Sequence, residues 1–108
     1  MTGLQYIVVF VTVPNTEEAQ GLARVLLEKK LVACVNIVPK VDSLFWWEGK
    51  IDRADECLLI LKTRYFVFQA LVEAIKAQHS YSVPEIIALP VIAGQDDYLA
   101  WIDETVQP

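Results

Sequence analysis

The strongest candidates for metal binding or covalent chemistry in this sequence are its histidine and its cysteines. His79 is the only histidine, and the two cysteines are Cys34 and Cys57. A structural zinc site takes four Cys or His ligands, so one chain with a single histidine and two cysteines cannot complete it. His79 is therefore either a ligand of another metal or a surface residue at a helix C-terminus, where a basic side chain is favoured.

Both cysteines lie in apolar segments that are typical of β-strands. Free cysteine is among the most buried residue types, so one interpretation is packing in the core. The other interpretation is a soft ligand for monovalent copper or a mercury-type ion.

Several carboxylates are candidates for acid–base work or for oxygen ligands beside His79. They are Glu48, Asp52, Asp55, Glu56 and Glu85. The run from Asp52 to Glu56 is typical of a solvated edge of a sheet. Glu85 differs, because Pro84 holds it at the start of a strand just after His79. The sequence specifies neither a catalytic nucleophile nor a pair of acid–base residues, which argues against an enzyme.

The element that must position these groups is a long β-hairpin, Val32 to Thr63, that turns at Glu48-Gly49. Its first strand would run on the order of 50 Å, whereas a globule of this size is roughly 35 Å across. The hairpin therefore projects, bends at Pro39, or pairs with another chain. Because its tip carries exposed apolar residues, we predict a homo-oligomer sealed by the hairpin. The alternative is a bent hairpin packed on its own sheet.

A two-residue turn predicts the register of the hairpin: Trp47 faces Lys50, Cys34 faces Thr63, and Cys57 faces Lys40. The two sulfurs are then roughly 20 Å apart, too far for a disulfide. Reduced cysteines and the lack of an export signal predict a cytoplasmic protein.

The remaining elements complete a βαββαβ order with a C-terminal helix. The predicted ranges are a strand 4–13, a helix from about 16 to 31 capped by Asn15, a helix 64–78 capped by Thr63, a strand 85–93 and a helix 97–105 capped by Asp96. Two βαβ halves around a hairpin predict an α+β, ferredoxin-like sandwich with a long protruding hairpin, forming a single domain over residues 1–108.

Composition narrows the possible partners. The formal charge is −5, and nucleic acid and anionic membranes both require a basic surface, so we expect neither. The apolar fraction of 55% excludes disorder.

Several motifs, in the same order along the chain, are similar to those of a known protein family. These are Thr12-Val13-Pro14, Lys30–Asn36, Phe45-Trp46-Trp47-Glu48-Gly49-Lys50, Leu61-Lys62-Thr63, His79–Ile86, Leu89-Pro90-Val91 and Asp97–Trp101. With these motifs the sequence resembles the CutA family of divalent-cation tolerance proteins along nearly its whole length.

The resemblance implies a cytosolic homotrimer whose subunits pair strands with one another, associated with copper and other divalent ions and needing no organic cofactor. It implies metal-related roles for Cys34 and His79, with Glu85 as an oxygen ligand. It also implies an intersubunit cleft, which is lined by Trp47, Lys62, Tyr81, Glu85 and Tyr98.

Three positions depart from the family pattern. Ser80 stands where the family loop has proline, and Val11 and Ala74 stand where some members have further cysteines. Three hypotheses follow: a trimer that binds Cu(II) or a related cation, a PII-like signalling trimer that binds an anionic metabolite against Lys62, and a scaffold without a ligand.

Overall fold

The structure is a computed structural model, and it describes residues 5–108. Its elements are β1 (Tyr6–Val13), α1 (Thr16–Glu28), β2 (Cys34–Trp47), β3 (Lys50–Arg64), a 3₁₀ turn (Tyr65–Val67), α2 (Phe68–Gln78), β4 (Ile86–Pro90) and α3 (Asp96–Thr105). The strands form one sheet in the order β2-β3-β1-β4, and all neighbours are antiparallel. The predicted ferredoxin-like α+β fold is confirmed. The predicted start of β1 at residue 4 lies outside the described residues.

The two faces of the sheet differ in what covers them. Alternate residues of β1, from Ile7 to Val13, are buried and pack with α1 and α2 in the main core. The intervening residues, from Tyr6 to Thr12, are only partly buried. Helix α3 covers one end of this second face through Ile102 and Val106. Most of the second face therefore has no helix over it.

Local signals explain the two ends of α1. The Asn15 side chain accepts a hydrogen bond from the Glu18 amide at 2.8 Å, as predicted for the cap. At the other end, Lys30 has a left-handed φ of 58°, and the Leu31 amide donates to the Leu26 carbonyl. This is a Schellman motif, so the helix ends at Glu28 and not near Leu31.

The hairpin turns where it was predicted to turn. Glu48 and Gly49 both have positive φ, 50° and 79°, and Trp47 pairs with Lys50. Two successive positive φ values are typical of a type I′ turn, whose twist matches the flanking strands.

A β-bulge between Val38 and Val41 interrupts the pairing of β2 with β3. Its extra residue shifts the register, so that Cys34 faces Lys62 and not Thr63. It also changes which side chains of β2 share the second face of the sheet. Before the bulge these are Cys34, Asn36 and Val38; after it they are Val41, Ser43, Phe45 and Trp47.

Three further boundary predictions are wrong. Thr63 does not cap a helix; it is buried in β3, and its hydroxyl donates to the Leu31 carbonyl at 2.7 Å. The following α-helix consequently starts at Phe68, not at residue 64. Strand β4 is shorter than predicted, because only Ile86–Pro90 pairs with β1. Gln95, not Asp96, caps α3 by accepting from the Tyr98 amide.

The distal hairpin extends beyond the helices and is exposed. The long axis of the chain measures 43 Å against 26 and 22 Å for the others. Trp46, Leu44 and Ile51 are 72, 66 and 65% exposed. We call residues 44–51 the hairpin tip. A tip of this kind leaves an apolar surface that one chain does not cover.

Candidate functional site

Four side chains meet on the second face of the sheet, where β2 begins. Cys34 and Lys62 are cross-strand partners, and the Lys62 ammonium donates to the Asn36 side-chain carbonyl. The Cys34 thiol lies 3.8 Å from the same oxygen. Burial, followed by the nearby Cys34 thiol, raises the pKa of Tyr98. We call Cys34, Asn36, Lys62 and Tyr98 the Cys34 cluster.

Helix α3 carries Tyr98 and is fixed to the sheet by a second polar contact. The Tyr6 hydroxyl donates to the two Asp103 carboxylate oxygens at 2.9 and 2.8 Å. The Arg64 Nε lies 3.3 Å from Asp103, and its guanidinium also donates to the Val106 carbonyl at 3.2 Å. Together with buried Ile102, these contacts hold the helix so that Tyr98 lies beside the cysteine.

His79 lies in a different place, at the edge where β1 ends. Its side chain is fully buried, so the interpretation of a surface histidine is wrong. Its Nε2 donates to the Thr12 carbonyl at 2.8 Å, and its Nδ1 accepts from the Tyr81 amide at 3.0 Å. This pairing requires the neutral tautomer with the proton on Nε2. Both ring nitrogens already have a partner within the subunit.

The residues around His79 form a closed hydrogen-bonded group. Glu18 on α1 accepts from the Ser80 amide at 2.9 Å and from its hydroxyl at 2.8 Å. The Tyr81 hydroxyl donates to Glu56 at 2.8 Å. Burial and then this hydrogen bond raise the pKa of Tyr81 to about 12. We call Thr12, Glu18, Glu56, His79, Ser80 and Tyr81 the His79 cluster.

The departure from proline at position 80 has a direct structural consequence. A proline has no amide hydrogen and no hydroxyl, so it could form neither of the bonds that Ser80 donates to Glu18. In this chain the loop is held by hydrogen bonds to α1 instead of by a proline ring.

The predicted cleft residues do not form one site within a single chain. Lys62 and Tyr98 lie together, and Tyr81 belongs to the His79 cluster. Trp47 shares a sheet face with Lys62 but lies roughly 40 Å away along the strand. Glu85 is exposed next to β4. Within one chain, Trp47 and Lys62 are therefore not in contact.

The predicted metal ligands are likewise separated. Cys34 belongs to one cluster and His79 to the other, and no group of three His, Cys, Asp or Glu side chains within residues 5–108 is placed to hold a metal ion. Lys62 beside Cys34 adds a positive charge that opposes a cation. One chain alone therefore does not fit a metal ion.

The contacts by which two carboxylates, Glu18 and Glu56, hold the His79 loop are not predicted from the sequence. Glu56 was interpreted as solvated, yet it is 9% exposed beneath Tyr81. Its position directly before the buried segment Cys57–Leu61 was the available signal. Nothing local in the sequence indicates the contact of Glu18 with Ser80, because the two residues are distant in sequence.

The fold and these clusters define a ferredoxin-like protein with an unusually long central hairpin. A family profile described as "CutA1 divalent ion tolerance protein" matches residues 7–105. The chain belongs to the CutA1 divalent ion tolerance family.

Relatives from two organisms illustrate the similarity. The chain is 50% identical over 99 residues to the "Divalent-cation tolerance protein CutA" of Archaeoglobus fulgidus, covering 92% of this chain and 96% of the relative. It is 49% identical over 106 residues to "Protein CutA 1, chloroplastic" of Oryza sativa, covering 98% of this chain. It spans only 60% of the length of that plant protein.

Solved structures from the same two organisms share the fold. The crystal structure of CutA1 from Oryza sativa superposes with a TM-score of 0.93 at 48% identity, covering 99% of this chain and 98% of that one. The structure described as the periplasmic divalent cation tolerance protein CutA from Archaeoglobus fulgidus gives 0.92 at 48% identity, covering 94% and 99%. Within residues 5–108, no helix has the length and apolar character needed to cross a membrane.

Proposed function

We propose that this protein acts in divalent-cation tolerance as a homotrimer that holds copper or a related divalent ion between its subunits, without catalysing a reaction. Membership of the CutA1 family supports the coarse function. The specific proposal rests on one observation: the hairpin tip and much of the second sheet face expose apolar side chains, and Cys34, the cysteine that is not buried, lies on that face.

The assembly follows from the exposed apolar surface. Ile87 and Leu89 on the edge strand β4 are 52 and 45% exposed, in addition to the side chains of the hairpin tip. Monomers rarely expose connected apolar patches of this extent, and an unpaired edge strand invites pairing with another chain. A closed ring of identical subunits would pair hairpin with edge and cover both surfaces.

Metal binding between subunits is the arrangement that the ligand positions favour. Cys34 offers a soft donor near the surface of the sheet, and Glu85 offers an exposed carboxylate. Since one chain has no complete ligand set, neighbouring subunits would have to supply the remaining ligands. His79 stays a predicted ligand, but its Nδ1 would first have to release the Tyr81 amide.

The trimer is tested by light scattering. We expect a mass about three times the 12.2 kDa of the chain. Replacing Trp46 and Ile51 by aspartate should lower this mass, because their side chains would no longer be buried between subunits. Tyr65→Asp is the matched control, since Tyr65 is 50% exposed in the 3₁₀ turn that follows β3, at the end of the strand away from the hairpin tip. A monomeric parent would refute the assembly.

The metal site is tested by titration calorimetry with Cu(II) and Zn(II). We expect saturable binding at a fixed number of ions per trimer in the parent, lost in Cys34→Ser and kept in Cys57→Ser. Copper has the highest affinity of the divalent series for most sites, so weak and non-saturating heat does not count as binding. Equal binding by the parent and Cys34→Ser would refute the role of Cys34.

A second candidate is a PII-like trimer that binds a small anionic metabolite. The observation in its favour is Lys62, which has no carboxylate within 4 Å among residues 5–108 and donates only to the neutral Asn36. An uncompensated ammonium at a subunit cleft favours an anion.

Thermal unfolding separates the two candidates. With inorganic pyrophosphate in metal-free buffer, the anion hypothesis predicts a higher Tm for the parent and for Lys40→Met, but not for Lys62→Met. A parent whose Tm does not respond to pyrophosphate or to other small polyanions would contradict it.

We place the protein in the cytoplasm. The two free cysteines support a reducing compartment. Relatives carry the names chloroplastic and periplasmic, and those locations belong to those proteins.

A further inference from the structure

The long hairpin leaves the body of the protein at Cys57. Strand β1 ends at Val13, which pairs with Cys57. Among residues 5–108, the part of β3 from Lys50 to Glu56 pairs only with β2. A two-stranded ribbon is marginally stable and strongly twisted by itself. The direction of the hairpin therefore depends on the contacts at the point where it leaves the sheet.

The β-bulge of β2 lies at this same point. Two residues of β2, Pro39 and Lys40, lie opposite the single residue Cys57 of β3, and a bulge bends its strand and increases the local twist. Cys57 is 2% exposed, and its thiol donates to the Pro39 carbonyl at 3.0 Å. Burial raises the pKa of this thiol, so it keeps its proton and remains a donor at neutral pH. The thiol thus joins the two strands where the ladder between them is interrupted.

The last residue of the ribbon, Glu56, joins the hairpin to the body of the protein. Glu56 is 9% exposed, and its carboxylate accepts from the Tyr81 hydroxyl at 2.8 Å. Tyr81 belongs to the His79 cluster, which is fixed to α1 by Glu18 and to the end of β1 by a backbone carbonyl. This hydrogen bond therefore connects the hairpin to a group that is itself held in place by two other elements.

We propose that Pro39, Glu56, Cys57 and Tyr81 form an exit clamp, which fixes the direction in which the hairpin leaves the sheet. The Cys57 thiol holds the bulge, and Tyr81 ties the ribbon to the His79 cluster. Loss of either contact lets the hairpin move while the rest of the sheet stays folded. The clamp belongs to one chain, and only its consequence, the presentation of the hairpin tip to neighbouring subunits, rests on the proposed function.

Hydrogen exchange monitored by mass spectrometry measures the clamp, because it detects local opening of the hairpin. In Tyr81→Phe, the amides of residues 41–56 should exchange about fivefold faster than in the parent, which corresponds to about 1 kcal/mol, the net contribution of one hydrogen bond.

Tyr6→Phe is the matched control. It also removes a bond from a phenol to a carboxylate, that of Asp103, but at the other end of β1. Exchange in the hairpin should be the same in Tyr6→Phe as in the parent. Unchanged exchange in Tyr81→Phe, or an equal acceleration in Tyr6→Phe, overturns the proposal.

The Cys57 contact is tested with two substitutions at one position. Cys57→Ala removes the donor, whereas Cys57→Ser keeps a hydroxyl donor at nearly the same place. Exchange in the hairpin should accelerate severalfold in Cys57→Ala and stay closer to that of the parent in Cys57→Ser. If the thiol contributed only apolar packing, serine would be no better than alanine, because burial of a hydroxyl is unfavourable without a partner. Serine rates equal to or faster than those of alanine overturn the role of the thiol.

Light scattering of the same variants separates this inference from the proposed function. We expect Tyr81→Phe and Cys57→Ala to form less trimer than Tyr6→Phe at the same concentration, because a hairpin of variable direction fits its neighbours less well. Equal amounts of trimer would refute this consequence for assembly. A monomeric parent whose hairpin still responds to the clamp substitutions would refute the proposed trimer alone. A trimeric parent whose hairpin does not respond would refute the clamp alone.

Discussion

The His79 cluster and the Cys34 cluster contain similar chemical groups but differ in how completely their partners are supplied by one chain. In the first, the His79 side chain is fully buried and both of its ring nitrogens are hydrogen-bonded. In the second, an ammonium and a thiol are partly exposed, with one neutral amide between them. The lone histidine of a sequence is an obvious candidate ligand, yet here the cysteine is the less completely hydrogen-bonded of the two side chains.

The comparison separates stability from binding. Groups that are buried and fully partnered lose several hydrogen bonds when they are replaced, so their removal weakens the fold. Groups that face solvent or another subunit contribute little to the fold, so their removal changes what the protein binds. Substitutions in the His79 cluster should therefore lower the stability of the fold, whereas substitutions in the Cys34 cluster should change binding with little effect on stability.

The largest effect is expected for His79→Ala. It removes a buried ring and leaves the Thr12 carbonyl and the Tyr81 amide without partners, so the free energy of unfolding should fall by about 2–4 kcal/mol. Chemical denaturation monitored by fluorescence measures this change. A loss below about 0.5 kcal/mol would contradict the description of the His79 cluster as closed.

A smaller loss is expected for Ser80→Pro, which restores the residue typical of the family. Proline deletes the amide and hydroxyl bonds to Glu18, and its stiffening of the unfolded chain offsets only part of that loss. We expect a net destabilisation of about 1 kcal/mol. Ser80→Ala keeps the amide bond and is the control. Stabilisation by proline would show that the ring outweighs the contact with Glu18.

The raised pKa of Tyr81 should affect how the stability of the protein depends on pH. Its pKa is about 12 in the folded protein and about 10 in the unfolded chain. Between these values the unfolded tyrosine loses its proton while the folded one keeps it, so stability falls as pH rises from about 10 to 12. In Tyr81→Phe this part of the decline should disappear. Identical unfolding curves for parent and variant across this range would contradict the assignment.

The smallest effect on stability is expected for Cys34→Ser. The thiol makes one long contact of 3.8 Å and is partly exposed, so the free energy of unfolding should change by less than about 0.5 kcal/mol. The same denaturation experiment measures it. A loss comparable to that of His79→Ala would mean that the two clusters do not differ as described.

The sequence predicts the fold well because its signals are local and strong. Asn15 before α1 and Glu48-Gly49 in the turn each have a direct conformational meaning, and both predictions are confirmed. Pro39 lies in a bulge of β2, whereas the sequence left open whether the hairpin projects, bends there or pairs with another chain. Thr63 was predicted wrongly because its hydroxyl has two possible uses. It can cap a helix, but in a buried strand it bonds to the Leu31 carbonyl instead.

The candidate site was harder to predict because its partners are distant in sequence. Lys62 and Cys34 were both recognised, but their pairing depends on the bulge, which shifts the register by one residue. The burial of His79 depends on the Thr12 carbonyl, a backbone atom that leaves no mark in a sequence. Single-residue chemistry can nominate candidates, and only tertiary contacts distinguish a structural histidine from a free one.

The bulge at Pro39 shifts by one residue the alternation of β2 side chains between the two faces of the sheet. In a regular strand of the same residues without a bulge, Leu44 and Trp46 would lie on the same side of the sheet as Cys34; with the bulge, Phe45 and Trp47 do. Deleting Pro39 or Lys40 would restore strict alternation and keep the pairing on both sides of the bulge, so Phe45 and Trp47 would stay on the Cys34 side. A single backbone irregularity thus determines which indole of the hairpin tip lies on the same side of the sheet as Cys34.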